Sequence, residues 1–438
     1  MRNTTLILLL ATGLGLNAQG PMTMSLQQAM DHAAQYSYSV RTNELEAEKA
    51  RRKIKEVMAI GLPQIDASGG IQNYLDVPIS VVPNFFGEGP EFLEAQFGVP
   101  WTLSGQVQLN QLIFDGSYLI GLQATKELKQ QSDQELELAI RDARAAAAKA
   151  YYGVLAAEEG AEALRESVPV LERSLTEAQA MQETGFMEET DVDRIRIELA
   201  NTRDQLMVFE RQQVLALNLL RFYLGVPSGT PMELTDDLQE LIDAPDERAL
   251  VGQPMDMAGH VEHRIAESQV RLQTLNVRNE KAAYWPRLNG FLSHQQQAFG
   301  FNDVVETDWY PGTLWGVNLQ VPIFSSGMRA NKVKQADLTL QQVEVNKQRV
   351  EQQLALEEAQ ARSDVETAQA LYDNQRDRLE LARRVFERTS TKFTEGLSSS
   401  FELTTEQGNY LSQQQAYIQR LADLVNARTE LRKTLDLF

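Results

Sequence analysis

The stretch LSGQVQLNQLIFDG, residues 103–116, decides the fold because apolar and polar side chains alternate along it. Leu103, Val107, Leu109 and Ile113 occupy odd positions, whereas the even positions are mostly Ser, Gln and Asn. A period of two residues is typical of a β-strand with one dry face and one wet face. The stretch therefore predicts a half-exposed strand and not a helix.

A second stretch, LWGVNLQVPIFSSG at residues 314–327, repeats this alternation, and its Phe324 follows Phe114 by 210 positions. Each copy ends in Ile-Phe, followed by a short polar turn with glycine and a long helical pattern. Weaker strand patterns, LPQIDASGG (62–70) and WPRLNGFLS (285–293), precede the two copies. We predict an internal duplication with four strands in two hairpins, 63–114 and 286–324.

The rest of each half is predicted to be helical. Pro169 falls inside the first long helical pattern and should kink or split it. Gly185 suits the C-terminal end of that helix, and Thr190 suits the N-terminus of the return helix. The predicted long helices are 117–184 and 327–394, with turns at 184–190 and 395–401 and a return helix after each turn.

The N-terminus has the pattern of a signal peptide: Arg2, an apolar run at 6–16, and the small residue Ala18. A buried N-terminal helix is the alternative. No other apolar run is long enough for a transmembrane helix. The predicted divisions of the chain are a signal peptide (1–18), a first repeat (19–227), an equatorial linker (228–259) and a second repeat (260–438).

Charge and composition exclude several classes of function. The 438-residue chain has a formal net charge of −20, which argues against a nucleic-acid partner because phosphate binding needs a basic surface. It has no cysteine, so disulfides, thiolate metal sites and cysteine nucleophiles are excluded. His260 and His263 could share a helix face, but without an obvious third ligand they predict a solvated pair and not a metal site. No cofactor is expected, and nothing in the sequence supports an enzyme.

The strands have the length of tilted membrane-spanning strands, about 9–12 residues. Aromatic residues cluster at or beside the predicted strand ends, where amphipathic rings favour the level of lipid headgroups. An ordinary soluble sheet packed on helices is the alternative. The candidate membrane-interface residues are Tyr74, Trp101, Phe114, Trp285, Trp309, Tyr310, Trp315 and Phe324.

Four strands are too few to close a barrel, and an open edge in lipid leaves backbone groups unpaired at several kcal/mol each. Several copies must therefore share one barrel, and closure alone permits a dimer, trimer or tetramer. Odd-numbered side chains of residues 103–113 and 315–323 would face lipid, and even-numbered ones would face a water-filled lumen. The long amphipathic helices are either a tunnel wall attached to this pore or a plain coiled-coil spacer.

The doubled order of helix, hairpin, long helix, turn and return helix resembles the TolC-like outer membrane efflux protein family. Further marks are SLQQAMDHAAQ at 25–35, Pro63 and Pro286 at the strand entries, and the pair IFDG and IFSSG. The resemblance covers nearly the whole chain after residue 18. It implies a mainly α protein with long antiparallel coiled-coil helices forming a periplasmic tunnel. Each protomer would give four strands to a twelve-stranded barrel of a homotrimer in the outer membrane.

The same resemblance implies partners and site residues. It implies an outer-membrane exit duct for efflux or type I secretion, driven by an inner-membrane transporter through a periplasmic adaptor. Glu402 matches the first acid of the family's periplasmic aperture, the second falls on the uncharged Thr405, and Asp191 is the equivalent in the first half. Stabilisation of a helix N-terminus is an equally good explanation of both acids. The implied adaptor-contact residues are Gly185, Phe186, Met187, Gly396, Leu397 and Ser398.

A second hypothesis is a periplasmic coiled-coil structural or adaptor protein without a pore. Such a protein would have no need of the two-residue alternation at 103–113 and 315–323. An adaptor would also carry a β-rich part beside its helices, which this sequence lacks.

Overall fold

The structure is a computed structural model that describes residues 21–85, 90–244, 249–300 and 308–438. The described part is mainly α-helical with a smaller β portion, as the sequence predicts. The predicted signal peptide, residues 1–18, lies outside the described residues.

Strands and helices are numbered in chain order. The strands of the described ranges are β1 Met22–Met24, β2 Gln64–Asn73, β3 Ile79–Pro83, β4 Phe92–Gln96, β5 Trp101–Phe114, β6 Met232–Leu234, β7 Arg287–Gly300 and β8 Trp309–Gln320. The α-helices of the same ranges are α1 Leu26–Tyr36, α2 Tyr38–Ile60, α3 Gly116–Glu183, α4 Glu189–Leu224, α5 Leu238–Asp243, α6 Val261–Ala282, α7 Met328–Thr394 and α8 Ser400–Thr434.

The chain forms two compact units, and each draws on both halves of the sequence. Among the described residues, a sheet unit comprises those of Glu44–Glu135 and Glu262–Glu351, and a helical unit comprises those of 21–43, Leu136–Val261 and Gln352–Phe438. Each long helix, α3 and α7, contributes residues to both units.

The sheet unit contains an antiparallel sheet of four strands in the order β2-β5-β7-β8. The two predicted hairpins are β2 with β5 and β7 with β8. The central pairing joins β5 of the first half to β7 of the second, from Trp101 opposite Gly300 to Phe114 opposite Leu288. The two hairpins therefore meet at the middle of one sheet, whereas β8, which carries the copy of the β5 pattern, is an outer strand.

The pairing register aligns the side-chain alternation of all four strands. Directly opposite residues of an antiparallel pair project from the same face. Leu109 lies opposite both Ile65 and Leu292, and Leu292 lies opposite Trp315, so these four residues form one apolar row. Odd positions of β5 and β8 consequently share a face, as the sequence predicts.

A β-bulge changes this alternation near the end of β5, between Leu112 and Phe114. The extra residue places Phe114 opposite Leu288, on the same face as Leu109. Its ring stacks on Trp285, with ring centroids 6.4 Å apart. Trp285 also lies against the backbone of Gly116, where an added Cβ would be 2.5 Å from the indole.

The predicted strand at 314–324 has the wrong bounds, because β8 is Trp309–Gln320. The alternation already holds at Trp309 and Pro311, and proline is tolerated there because β8 is an outer strand. After Gln320 the chain leaves the sheet, since Pro322 has no N–H and Ser326 and Gly327 adopt positive φ. Trp315 therefore lies in mid-strand and not near a strand end.

Two small β pairings are absent from the sequence prediction. Strands β3 and β4 form a hairpin within residues 77–100, a stretch rich in Pro, Gly and Phe that the sequence predicts as a loop. Strands β1 and β6 form a parallel pair in the helical unit. These strands have three to five residues, too few to give a periodic signal.

Helix α3 continues through Pro169, so the predicted split is wrong, and the alternative of a kink stays a prediction. A proline removes one backbone hydrogen bond, and the packed residues around it, with Leu164 and Leu171 buried, keep the helix intact. In the described part of the chain, no helix combines the length and the hydropathy needed to span a membrane.

Tyr151 is the central polar residue of the helical unit. Its side chain is fully buried, and its hydroxyl donates to the carbonyl oxygen of Met24 at 3.0 Å. It also accepts from the backbone N–H of Asp236 at 3.4 Å, and burial raises the pKa of Tyr151 to about 12. The carboxylate of Asp236 accepts in turn from the N–H of Leu26 at 2.6 Å. One tyrosine thus joins the N-terminal strand, α3 and the linker.

Glu159 belongs to a second polar cluster of the helical unit. Gln239 donates to Tyr417 at 2.6 Å and to Glu159 at 3.4 Å, and Tyr372 donates to Gln239 at 3.2 Å. Burial raises the pKa of Glu159, and the nearby charge of Asp237 adds to this effect. Its second oxygen, Oε2, is buried and has no hydrogen-bond partner among the described residues.

We expect the substitution Glu159→Gln to stabilise the helical unit at pH 8. The pKa of Glu159 is raised by folding, so the buried carboxylate disfavours the folded state above that pKa. The gain should shrink as the pH falls through the raised pKa, because the native side chain is then protonated as well. Urea unfolding followed by circular dichroism at pH 8 and pH 5 measures the difference. The neighbouring, exposed Glu158→Gln is the matched control. Equal gains at the two pH values would contradict the prediction.

Candidate functional site

The four-stranded sheet has one face without any Asp, Glu, Lys or Arg among its strand residues. The row Ile65–Leu109–Leu292–Trp315 crosses it, and Trp315 is 78% exposed. Polar side chains of this face are hydrogen-bonded: His294 to Thr313 at 2.7 Å, and Gln111 to the carbonyl oxygen of Gly61 at 2.7 Å. A face that is apolar, exposed and free of charge is suited to contact with hydrocarbon.

The opposite face is lined mostly by amides and hydroxyls. Gln106 donates to Gln108 at 2.9 Å and to Ser293 at 3.0 Å, and Gln108 donates to Asn110 at 2.8 Å. A concave space of about 800 Å³ lies against its helix-proximal part and is bordered by Gln64, Gln108, Asn110, Asn289 and Asn318. Such a surface is suited to contact with water and carries little charge.

The predicted interface aromatics fall into different positions. Trp101 and Trp309 begin β5 and β8 on the apolar face, at the end of the sheet away from the helices. Phe114 and Trp285 stack at the helix-proximal end. Tyr74 and Phe324 are exposed just outside the strands.

The structure changes the placement of Trp315 and Tyr310. Trp315 lies in the middle of β8, as described above. Tyr310 lies opposite Gln297, which is opposite Ser104, so its side chain belongs to the amide-lined face and not to the apolar one. The prediction rested on nearness to a strand end, which does not determine the face of the sheet from which a side chain projects.

The two predicted turns between long helices have the same backbone geometry. Gly185 donates its N–H to Gln182 at 2.9 Å and Phe186 donates to Met181 at 2.9 Å. In the second half, Gly396 donates to Phe393 at 3.0 Å and Leu397 donates to Lys392 at 2.8 Å. This pairing is the Schellman motif, and the φ angles of +79° and +74° favour glycine at both positions.

The residues after each glycine are presented to solvent. Phe186 is 86% exposed and Leu397 is 73% exposed, whereas Met187 packs against the apolar cluster of Val192, Ile195 and Phe393. Ser398 donates to Glu402 at 2.7 Å. Each turn thus ends in one exposed apolar side chain.

Asp191 and Glu402 occupy the same position, the third residue of their helices α4 and α8. The prediction that Thr190 caps α4 is wrong, because the residue before that helix is Glu188, which makes no side-chain cap bond. In α8 the Ser399 side chain accepts from the N–H of Glu402 at 3.2 Å. Both acids therefore lie where a helix N-terminus stabilises negative charge.

The structure brings the two turns together through residues that sequence reasoning did not find. The buried Ser400 hydroxyl donates to the carboxylate of Asp191, and Arg194 lies 3.7 Å from the same carboxylate. The Arg194 guanidinium also lies over the ring of Phe401, 5.5 Å from its centroid. The positions 191 and 400 are 209 residues apart, and no local pattern signals such a contact.

No group of three or more possible metal-binding side chains occurs in the ranges that the structure describes. The prediction that His260 and His263 form a solvated pair is wrong for both residues. His260 is 1% exposed, and the largely buried His263 lies 3.2 Å from Glu351.

Residues 29–226 and 262–436 match the family described as Outer membrane efflux protein. The chain belongs to the outer membrane efflux protein family. This confirms the resemblance drawn from the sequence, and it places the chain in the outer membrane with a periplasmic helical domain.

Solved structures with this fold include channels whose sequences are only distantly similar to that of this chain. CusC aligns with a TM-score of 0.70 and 15% identity, over 94% of this chain and 91% of that chain. MtrE of Neisseria gonorrhoeae, an outer membrane channel, aligns with a TM-score of 0.69 and 17% identity, over 94% of this chain and 88% of that chain. VceC of Vibrio cholerae, an outer membrane protein, aligns with a TM-score of 0.68 and 14% identity, over 94% of this chain and 96% of that chain. At these identities the likeness shows the fold. No curated protein matches this efflux-family chain.

We expect Ser400→Ala to loosen both turns of this efflux protein. The substitution removes a buried hydrogen bond to a carboxylate, worth about 1.5–3 kcal/mol. Hydrogen exchange of the amides at 185–192 and 396–403 should accelerate together, by about tenfold or more at this energy. Ser398→Ala is the matched control, because its bond to Glu402 is local to the second turn. Acceleration confined to 396–403 in both variants would refute the link.

Proposed function

We propose that this protein is the outer-membrane exit duct of a tripartite efflux or type I secretion system. The observation that carries the proposal is the sheet with one uncharged apolar face and one amide-lined face. Transmembrane barrels alternate in this way between lipid and a polar interior. The duct is a passive conduit without catalytic residues, driven by an inner-membrane transporter.

The two outer strands support the proposed assembly of several copies. Within the described residues, neither β2 nor β8 has a second partner strand. In lipid each unpaired backbone group costs several kcal/mol, so the edges must pair with other chains. We propose a homotrimer with a twelve-stranded barrel, in which β8 of one copy pairs with β2 of the next. The duplicated halves then give the barrel a regular six-fold repeat of hairpins.

The two turns are the proposed contact with a periplasmic adaptor. Gly185 and Gly396 hold Phe186 and Leu397 outward, and an exposed apolar side chain on a rigid turn suits docking to a partner protein. Met187 stabilises the first turn by packing against the apolar cluster, and Ser398 stabilises the second turn through its hydrogen bond to Glu402. No nucleic acid and no cofactor take part in this function.

The aperture acids are assigned unequal roles in this proposal. The side chain of Asp191 is tied to Ser400 and Arg194, which favours a role in joining the two turns. Glu402 is exposed, and its side chain accepts from Ser398 of its own turn. We therefore propose Glu402 as the acid that faces the periplasmic aperture and acts on passing ions.

The competing function is a periplasmic coiled-coil protein without a pore. The long helices alone would fit it. The uncharged, exposed sheet face would not fit it, because an exposed apolar surface is unfavourable in contact with water.

We expect the protein to fractionate with the outer membrane, run as a heat-sensitive trimer and conduct ions in a planar lipid bilayer. Pairing of three open sheets predicts a single closed barrel with a stable open lumen. Mass measurement of the detergent complex and single-channel recording test the two parts. Recovery as a soluble periplasmic monomer would rule out the duct.

We expect Glu402→Ala to reduce the preference of the channel for cations and to change its single-channel conductance. Loss of three equivalent carboxylates at a constriction weakens attraction for cations in a low-salt medium. Reversal potentials in a salt gradient measure the effect. Glu380→Ala is the control, because Glu380 is an equally charged, exposed residue on α7, 16 positions before the turn glycine Gly396. Equal shifts for the two variants would place the constriction elsewhere.

A further inference from the structure

Two aromatic rings lie together on the amide-lined face of the sheet. Phe299 and Tyr310 have ring centroids 5.9 Å apart with an interplanar angle of 44°. Phe299 lies opposite Thr102, and Tyr310 lies opposite Gln297. The pair therefore belongs to the wet face, at the end of the sheet away from the helices.

Both rings keep much of their surface accessible, with Phe299 40% and Tyr310 56% exposed. Phe291, farther along β7 on the same face, differs in this respect. Its ring lies over Gly316, where an added Cβ would be 2.9 Å from it. Among the aromatic residues on this face, Phe299 and Tyr310 are thus open to stacking, and Phe291 is partly covered.

The sequence around this end of the sheet is acidic. The connections joining the strands there, residues 74–100 and 301–308, contain no Lys, Arg or His. Their described acids are Asp76, Glu91, Glu94 and Asp308, and Asp308 precedes Tyr310 by two positions. Acids without basic neighbours produce a negative potential that concentrates cations.

A role as membrane-interface anchors does not fit these rings. The neighbouring Trp309 projects from the apolar face, opposite Ala298, and is suited to that role. Tyr310 projects from the other face, toward Gln297 and the amide-lined surface. In a lined conduit, exposed aromatic surface next to water has a cost unless a ligand uses it.

We propose that the Phe299–Tyr310 pair binds planar aromatic cations as they leave the duct. The ring faces attract positive charge and stack on flat apolar surface, and the acidic connections raise the local concentration of cations. The proposal rests on the proposed function, because the amide-lined face must line the conduit. It assigns to this end of the duct a preference for aromatic cations over aliphatic ones.

Ethidium block of the ion current through the purified protein in a planar bilayer tests this site. For the double variant Phe299→Leu, Tyr310→Leu, the blocking concentration should rise about five- to tenfold, the loss expected for one cation–π contact. Leucine retains apolar volume and removes the π face. Block by spermine, an aliphatic cation, should change little, because it depends on the acids alone. Phe291→Leu is the matched control on the same strand and face, and it should leave ethidium block unchanged.

The outcomes separate this inference from the proposed function. Absence of any current in the native protein would count against the duct. Ethidium fluorescence with the detergent-purified protein reports binding without a current, and equal affinity in the native protein and the double variant would overturn the site. An equal loss of ethidium and spermine block would also overturn it, because the rings would then act only on the shape of the lumen.

Discussion

The pairing of backbone N–H and C=O groups at the edges of one sheet is the constraint on which the rest of this structure depends. Strands β2 and β8 are the outer strands of a four-stranded sheet whose one face is apolar and exposed. In water the edge groups could form hydrogen bonds with solvent, but the exposed apolar face would be unfavourable. In lipid the apolar face would be favourable, but the unpaired edge groups would not. In the proposed assembly, further copies of the same chain resolve both conditions. Oligomer formation is then a requirement of the sheet and not an addition to a stable monomer.

Much of the fold was predictable from the sequence because its signals are long or repeated. The alternation in β5 extends over about ten residues and recurs 210 positions later, so chance coincidence is small. The turn glycines at Gly185 and Gly396 also mark the helix ends that the structure contains. Short elements gave no comparable signal. The pair β1 and β6 has three residues per strand and is stabilised by Tyr151, Asp236 and backbone contacts that no local pattern encodes.

The candidate site was predictable in residue type more than in position. The aromatics were found as a class, but their faces depend on the pairing register and on the start of β8 at Trp309. Tyr310 shows the consequence, since a shift of one residue moves a side chain to the other face. The contact between the two turns also could not be predicted from the sequence. Asp191 has a conspicuous place in the sequence, but its partner Ser400 is one serine in a run of three, and only the folded chain selects it.

The pairing of Met22–Met24 with Met232–Leu234 has a consequence for the order of folding. These strands are separated by more than 200 residues, and the hydroxyl of Tyr151 bonds to Met24 of β1 and to the N–H of Asp236, two residues after β6. A chain emerging from its N-terminus cannot complete this junction until roughly half of it is available. Strand β1 can therefore pair only after the residues up to Leu234 are available.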